Sequence, residues 1–211
     1  MSEIILVRHG ETEWNAVETF RGRADVALNE NGLKQAELLG AYLKDEKIDA
    51  VYSGPLQRAV NTAKAIAAPH NLPVTTTDNL NDINCGEWEG KPLSFVEAIY
   101  PDVYADWLDT PEQTRLPGGE SLDEVNSRVV PFVWDTVLHN GKEKMVFVSH
   151  RAVHKVLICA LLKLDNVSFW NFKLDTAGLT RFTFDGKRAI LTSFNDTSYL
   201  KPLKLKPFND F

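Results

Sequence analysis

Cysteine is scarce in this chain: only Cys85 and Cys159 occur in 211 residues, and their spacing matches no metal knuckle. A disulfide framework is therefore excluded, and a reducing compartment is the natural expectation. Long apolar runs are missing too, as are a basic leader and an apolar signal core ahead of the first strand pattern. A cytoplasmic protein with no membrane partner is expected. Basic charge is also short, with 23 Lys and Arg against 29 Asp and Glu and a net charge of -6. Nucleic-acid or membrane-surface binding would need a basic stripe, so any anion site must be local. No linker or composition break divides the chain, and 44% hydrophobic residues over this length fit one domain with a sizeable core.

What is present gathers first at Ile4-Ile5-Leu6-Val7, followed by Arg8-His9-Gly10-Glu11-Thr12-Glu13-Trp14-Asn15. Four apolar residues without alternation read as a fully buried parallel strand. In open α/β sheets ligands collect at the carboxyl ends of strands, which is where Arg8 and His9 stand. Gly10 lets the backbone turn sharply and approach a ligand. A fixed guanidinium beside an imidazole suggests a tetrahedral oxyanion held by bidentate hydrogen bonds while the imidazole attacks it. The pattern recurs at Met145-Val146-Phe147-Val148, which stops at Ser149-His150. If these two strands are adjacent and parallel, both histidines meet over one site.

Between them the chain alternates helix and strand signals. Asn29 can cap a helix carrying Leu33, Ala36, Leu39 and Leu43 at helical spacing. Residues 48–53 read as a strand, and Pro55 suits the first turn of the next helix, with Ser53 or Gly54 as its cap. Arg58 then projects from a helix start, a place that already favours anions. Residues 91–116 carry Tyr100, Tyr104, Trp107 and several acids, and read either as a helical excursion packed on the domain or as a lid. Ser121 and Glu124 form a capping box, Pro131 is expected to bend the helix that follows, and that helix ends near His139, Asn140 and Gly141. Val153, Val156, Leu157, Ala160 and Leu161 mark the buried face of a helix after His150. Asp185-Gly186 between two strand runs signals a hairpin, and Lys201, Lys204 and Lys206 mark a solvated tail at about 201–211.

The string Arg8 to Asn15, placed directly after a first strand, resembles the signature of the histidine phosphatase (phosphoglycerate-mutase-like) superfamily. The resemblance continues at Ser53-Gly54-Pro55-Leu56-Gln57-Arg58-Ala59, at residues 80–90, at Pro117-Gly118-Gly119-Glu120-Ser121 and at Val148-Ser149-His150. It implies a single three-layer α/β domain, a mainly parallel sheet flanked by helices. It also implies a metal-independent phosphatase without a cofactor, acting on a small phosphorylated metabolite through a phosphohistidine on His9. Arg8, Arg58 and His150 would grip the phosphoryl oxygens, with Asn15 adding a hydrogen bond. Arg21 and Gly22, which alone would read as ordinary loop residues, border the phosphate pocket in the resembled family.

Two positions depart from the pattern. The general acid is usually a glutamate two residues after the leucine, whereas here Asp82 stands there, one methylene shorter; Glu87 and Glu89 are the alternatives. The residue after the second histidine is usually glycine, whereas here Arg151 adds a long cation that could hold a substrate carboxylate or second phosphate. His154, one turn beyond His150, raises a metal site as a rival reading, which nearby arginines disfavour. A phosphoglycerate-type mutase and a catalytically weak phosphate-binding scaffold are the other readings. Substrate identity and oligomeric state are not readable from the sequence.

Overall fold

The N-terminal apolar run becomes the middle of a sheet. In the computed structural model, which describes residues 2–203, β1 (Ser2–Arg8) lies between two other strands, and Ile4 to Val7 are buried to within 1%. A helical turn, α1 (Glu13–Ala16), and a longer helix, α2 (Glu30–Leu43), follow. Then come β2 (Ala50–Ser53), α3 (Gln57–Ala67) and β3 (Val74–Thr76). The excursion forms α4 (Leu93–Ile99) and α5 (Pro101–Asp109), and α6 (Leu122–His139), β4 (Lys144–Ser149) and α7 (Arg151–Leu161) lead to the hairpin β5 (Leu179–Phe184) and β6 (Ala189–Asp196).

The strand order is β3-β2-β4-β1-β5-β6, parallel from β3 through β1 and antiparallel for the last two pairs. Adjacent side chains of a strand point to opposite faces, so one sheet serves two cores. Ile5 and Val7 pack with Leu39, Leu43, Ala63 and Ile66 of α2 and α3. Ile4 and Leu6 pack with Val129, Val133, Val153 and Leu157 of α6 and α7. The result is a three-layer α/β domain with the expected mainly parallel sheet.

Local signals landed where local physics governs. Asn29 accepts the Gly32 amide at 2.8 Å, Ser121 and Glu124 complete their capping box, Pro131 lies inside α6, and Gly186 makes the hairpin turn at φ +88°. Several expectations need correction. Leu33 is half exposed; α2 buries Gly32, Gln35 and Gly40 beside Ala36, Leu39 and Leu43, because glycines let it approach neighbouring backbone. α3 starts two residues after Pro55, with Leu56 at the cap position, and neither Ser53 nor Gly54 caps it. Instead the Asp25 carboxylate accepts the Gln57 amide at 2.7 Å. β2 begins at Ala50 rather than Ile48. α7 is buried nearly all round, with Ala160 only half-buried, and Cys159 lies in its core. Gly10 is fixed by packing, since a Cβ there would meet the Gly32 carbonyl oxygen at 2.7 Å.

In the excursion, Trp107 packs tilted against Phe169 and edge-on against Trp170, and its carbonyl accepts the Trp170 indole N–H at 2.8 Å. Tyr100 and Tyr104 lie near Trp88, while Asp102, Asp106 and Asp109 face water. Lys201 belongs to a 3-10 turn over Ser198–Leu203; the rest of the expected tail, Lys204 and Lys206 included, lies outside the described residues.

Candidate active site

Parallel pairing of β1 and β4 puts Arg8 opposite Ser149, and the His9 amide extends the ladder to the Ser149 carbonyl at 3.0 Å. His9 and His150 therefore leave adjacent strands side by side, their ring centroids 5.1 Å apart. The His9 Nδ1 lies 2.7 Å from its neighbour's carbonyl, that of Gly10. A carbonyl can only accept, so Nδ1 carries the proton and Nε2 keeps its lone pair. Burial, helped by the charges of Arg58, His150, Arg8 and Arg21, holds the His9 pKa well below the ordinary imidazole value. The ring is neutral throughout the physiological range.

Arg8 is buried and donates to the Leu174 carbonyl at 2.6 Å. Arg58, the second residue of α3 and fully buried, donates to the carbonyls of Ala24 and Gly22 at 2.7 and 2.8 Å and to Asp82 Oδ2 at 3.0 Å. Asn15 uses its Oδ1 to accept the Thr12 amide and hydroxyl. Among the described residues, Asn15 Nδ2 and Arg58 Nε are buried with no hydrogen-bond partner. Donors left this way in a cationic cup call for an anion.

Asp82 sits at the junction of these groups. Its Oδ2 is also 3.3 Å from His150 Nδ1, and its Oδ1 accepts the Ile83 amide at 2.9 Å. Asp82 thus bridges Arg58 and His150 at the mouth of the cup. The alternatives are committed elsewhere: Glu87 accepts the Tyr100 hydroxyl at 2.6 Å and Glu89 the Arg23 amide at 2.9 Å. His9, Arg21, Gly22, Asp82 and Arg151 share the wall of one cleft with Phe20, Ile83, Trp107 and Leu116. Arg21 also donates to the Trp14 carbonyl at 3.2 Å. Gly22, at φ +49°, turns its carbonyl to Arg58; an added Cβ would stand 2.6 Å from Glu89 Oε2.

A sequence profile of the histidine phosphatase superfamily (branch 1) matches residues 4–197. The chain belongs to the histidine phosphatase superfamily. Phosphoserine phosphatase 1 of Hydrogenobacter thermophilus is 36% identical over 200 residues, 95% of each chain. A crystal structure of a phosphoserine phosphatase mutant (H9A) from Entamoeba histolytica in complex with phosphoserine matches with a TM-score of 0.86 and 32% identity, covering 95% of this chain and 100% of that one. Bacillus stearothermophilus YhfR matches with a TM-score of 0.89 at 26% identity and the same coverage.

Within this histidine phosphatase, part of the site was not visible in the sequence. Arg128 of α6 reaches the carbonyls of Asn79, Asn81 and Asp82 at 3.0, 2.8 and 3.1 Å. Glu120 pairs with both Arg128 and Arg23, and accepts the Asn84 amide at 2.8 Å. This clamp fixes the loop that presents Asp82. Glu120 belongs to a motif noted in the sequence, but nothing local distinguishes Arg128 from a solvated helix arginine. His154 is buried, neutral, and pushed down to about 3 by burial. Among the described residues no group of three His, Cys, Asp or Glu side chains is arranged to hold a metal ion.

Proposed function

We propose that this histidine phosphatase hydrolyses small phosphate monoesters through a phosphohistidine on His9. The observation that carries the reading is the Nδ1 hydrogen bond to Gly10, which leaves the Nε2 lone pair of a buried, neutral ring beside Arg8, Arg58 and His150. Those three residues and Asn15 bind the phosphoryl oxygens and stabilise the charge that moves onto them and onto the leaving oxygen. His9 Nε2 attacks phosphorus in line, the bond to the leaving oxygen breaks, and Asp82 gives that oxygen its proton. The resulting carboxylate takes a proton from water, whose oxygen attacks phosphorus and breaks the N–P bond. Inorganic phosphate leaves, with His9 neutral and Asp82 protonated again. None of these steps is assigned to a metal or cofactor.

Trp107 and Leu116 reach the cleft from the 91–116 excursion, and we assign that segment the role of a lid that limits substrate size. The named relatives make phosphoserine the first substrate to test. A cytoplasmic location suits the two buried free thiols and a small-metabolite substrate. Rapid acid-free quenching during turnover should trap phosphate that is acid-labile and base-stable, absent in His9→Ala, and phosphate release should exceed isomer exchange on 3-phosphoglycerate. Full turnover by His9→Ala would remove His9 as the nucleophile.

A further inference from the structure

The buried face of α2 carries glycine, alanine and leucine, and among them one polar side chain, Gln35, which is fully buried. A buried amide is costly unless its acceptor and donor ends are both paired. Here both are: Gln35 Oε1 accepts the Glu11 amide at 2.8 Å, and Gln35 Nε2 donates to the hydroxyl of the buried Thr176 at 3.2 Å. The Glu11 N–H can only donate, so it must face the oxygen, and the side chain has one orientation.

The peptide that Gln35 holds is the one that orients the nucleophile. Two peptide planes follow the His9 side chain. The first carries the His9 carbonyl, which accepts the Ala177 amide at 3.1 Å, and the Gly10 N–H, which donates to Thr62 Oγ1 at 3.1 Å. The second carries the Gly10 carbonyl, 2.7 Å from His9 Nδ1, and the Glu11 N–H that donates to Gln35. A trans peptide is planar, with its N–H and C=O pointing in opposite directions, so a bond that fixes one end aims the other. The same bond polarises the peptide and makes the Gly10 carbonyl a stronger acceptor, in a chain that runs from Gln35 through Glu11 and Gly10 to the imidazole. We infer that Gln35 is a positioning residue for His9: through the Gly10–Glu11 peptide it holds the ring proton on Nδ1 and keeps Nε2 unprotonated for attack. The inference rests on the phosphohistidine reading for its effect on turnover, but not for its effect on the tautomer.

Two substitutions of similar length separate this role from packing. Gln35→Met removes the acceptor, whereas Gln35→Glu keeps an oxygen for the Glu11 N–H and lets the Thr176 hydroxyl donate to the other. Two-bond proton–nitrogen NMR of the resting protein at neutral pH, with His9 assigned against His9→Ala, reads the tautomer. Single-turnover release of p-nitrophenol from p-nitrophenyl phosphate reads attack by His9, and calorimetry with inorganic phosphate reads the cup. In Gln35→Met the His9 nitrogens should move toward the Nε2-protonated form and the single turnover should slow by about ten- to a hundredfold, with phosphate affinity nearly unchanged. Gln35→Glu should keep the wild-type nitrogen shifts and most of the rate. Unchanged nitrogen shifts in Gln35→Met, or equal losses of rate in both variants, overturn the inference. Should circular dichroism show that Gln35→Met does not fold, Thr176→Val, which unties the far end of the amide, should give the same shift to a smaller degree, and an unchanged spectrum there overturns it equally. A tautomer shift in a protein whose wild type shows no turnover would support the positioning role and overturn the phosphatase reading alone.

Discussion

A buried imidazole normally loses basicity and gains nothing, but for a nucleophile that loss is useful, because a neutral ring keeps its lone pair at any pH where phosphate is a dianion. The depressed pKa of His9 therefore predicts a kcat/KM profile whose acid limb lies below the ordinary imidazole range, and a limb at 6.5 or above would contradict it. Asp82 makes a separable contribution. Asp82→Asn should lower kcat by about 10²–10⁴ for alkyl phosphoesters, and by less for p-nitrophenyl phosphate, whose leaving oxygen needs little protonation. An equal loss on both would assign Asp82 to positioning Arg58, 3.0 Å away, rather than to proton transfer. Arg8, His9, Arg58 and His150 are singled out by the family resemblance of their motifs, and the fold places each at a strand end or a helix start. The engagement of Glu87 and Glu89 with other groups was not legible, since it depends on Tyr100 and on the Arg23 loop.

At the scale of elements, the site is held by backbones that touch. Gly32 at the start of α2 packs on the loop after His9, where an added Cβ would meet the Glu11 carbonyl at 2.0 Å. Gln35, one turn on, accepts the Glu11 amide at 2.8 Å. Gly32→Ala should therefore destabilise the fold by about 1–3 kcal/mol or more, seen as a lower urea midpoint at unchanged m-value; a neutral effect would mean that the helix can slide. This contact explains why apolar periodicity misplaced Leu33: α2 is positioned by small residues that a hydrophobic count passes over. The cap of α3 was missed for a related reason, because Asp25 supplies it from 32 residues away. Caps within four residues, such as Asn29 and Ser121, were legible because their partners are neighbours in sequence.

Across the whole molecule, two cores on opposite faces of one sheet bury three histidines in neutral form, His9, His150 and His154. Each has a folded pKa below its unfolded value, so the unfolded chain binds more protons below about pH 6.5 and stability falls as pH falls. For His154 that window runs from about 6.5 down to about 3. Each such histidine contributes a slope of about 1.4 kcal/mol per pH unit, and His154→Leu should remove one such slope from the urea-denaturation profile. Identical profiles would show that His154 is protonated in the fold. The mainly parallel sheet was implied by the family resemblance, and the two strand-then-histidine repeats do lie adjacent and parallel, but the order of the other strands was not legible; nor was the Glu120, Arg23 and Arg128 clamp, because it joins segments 46 to 97 residues apart. The most direct test of the account is where the phosphoryl group lands. Phosphorus and nitrogen NMR of the trapped intermediate should place it on Nε2 of His9, with Nδ1 still protonated toward Gly10; phosphate on Nδ1, on His150, or on no histidine would contradict the account.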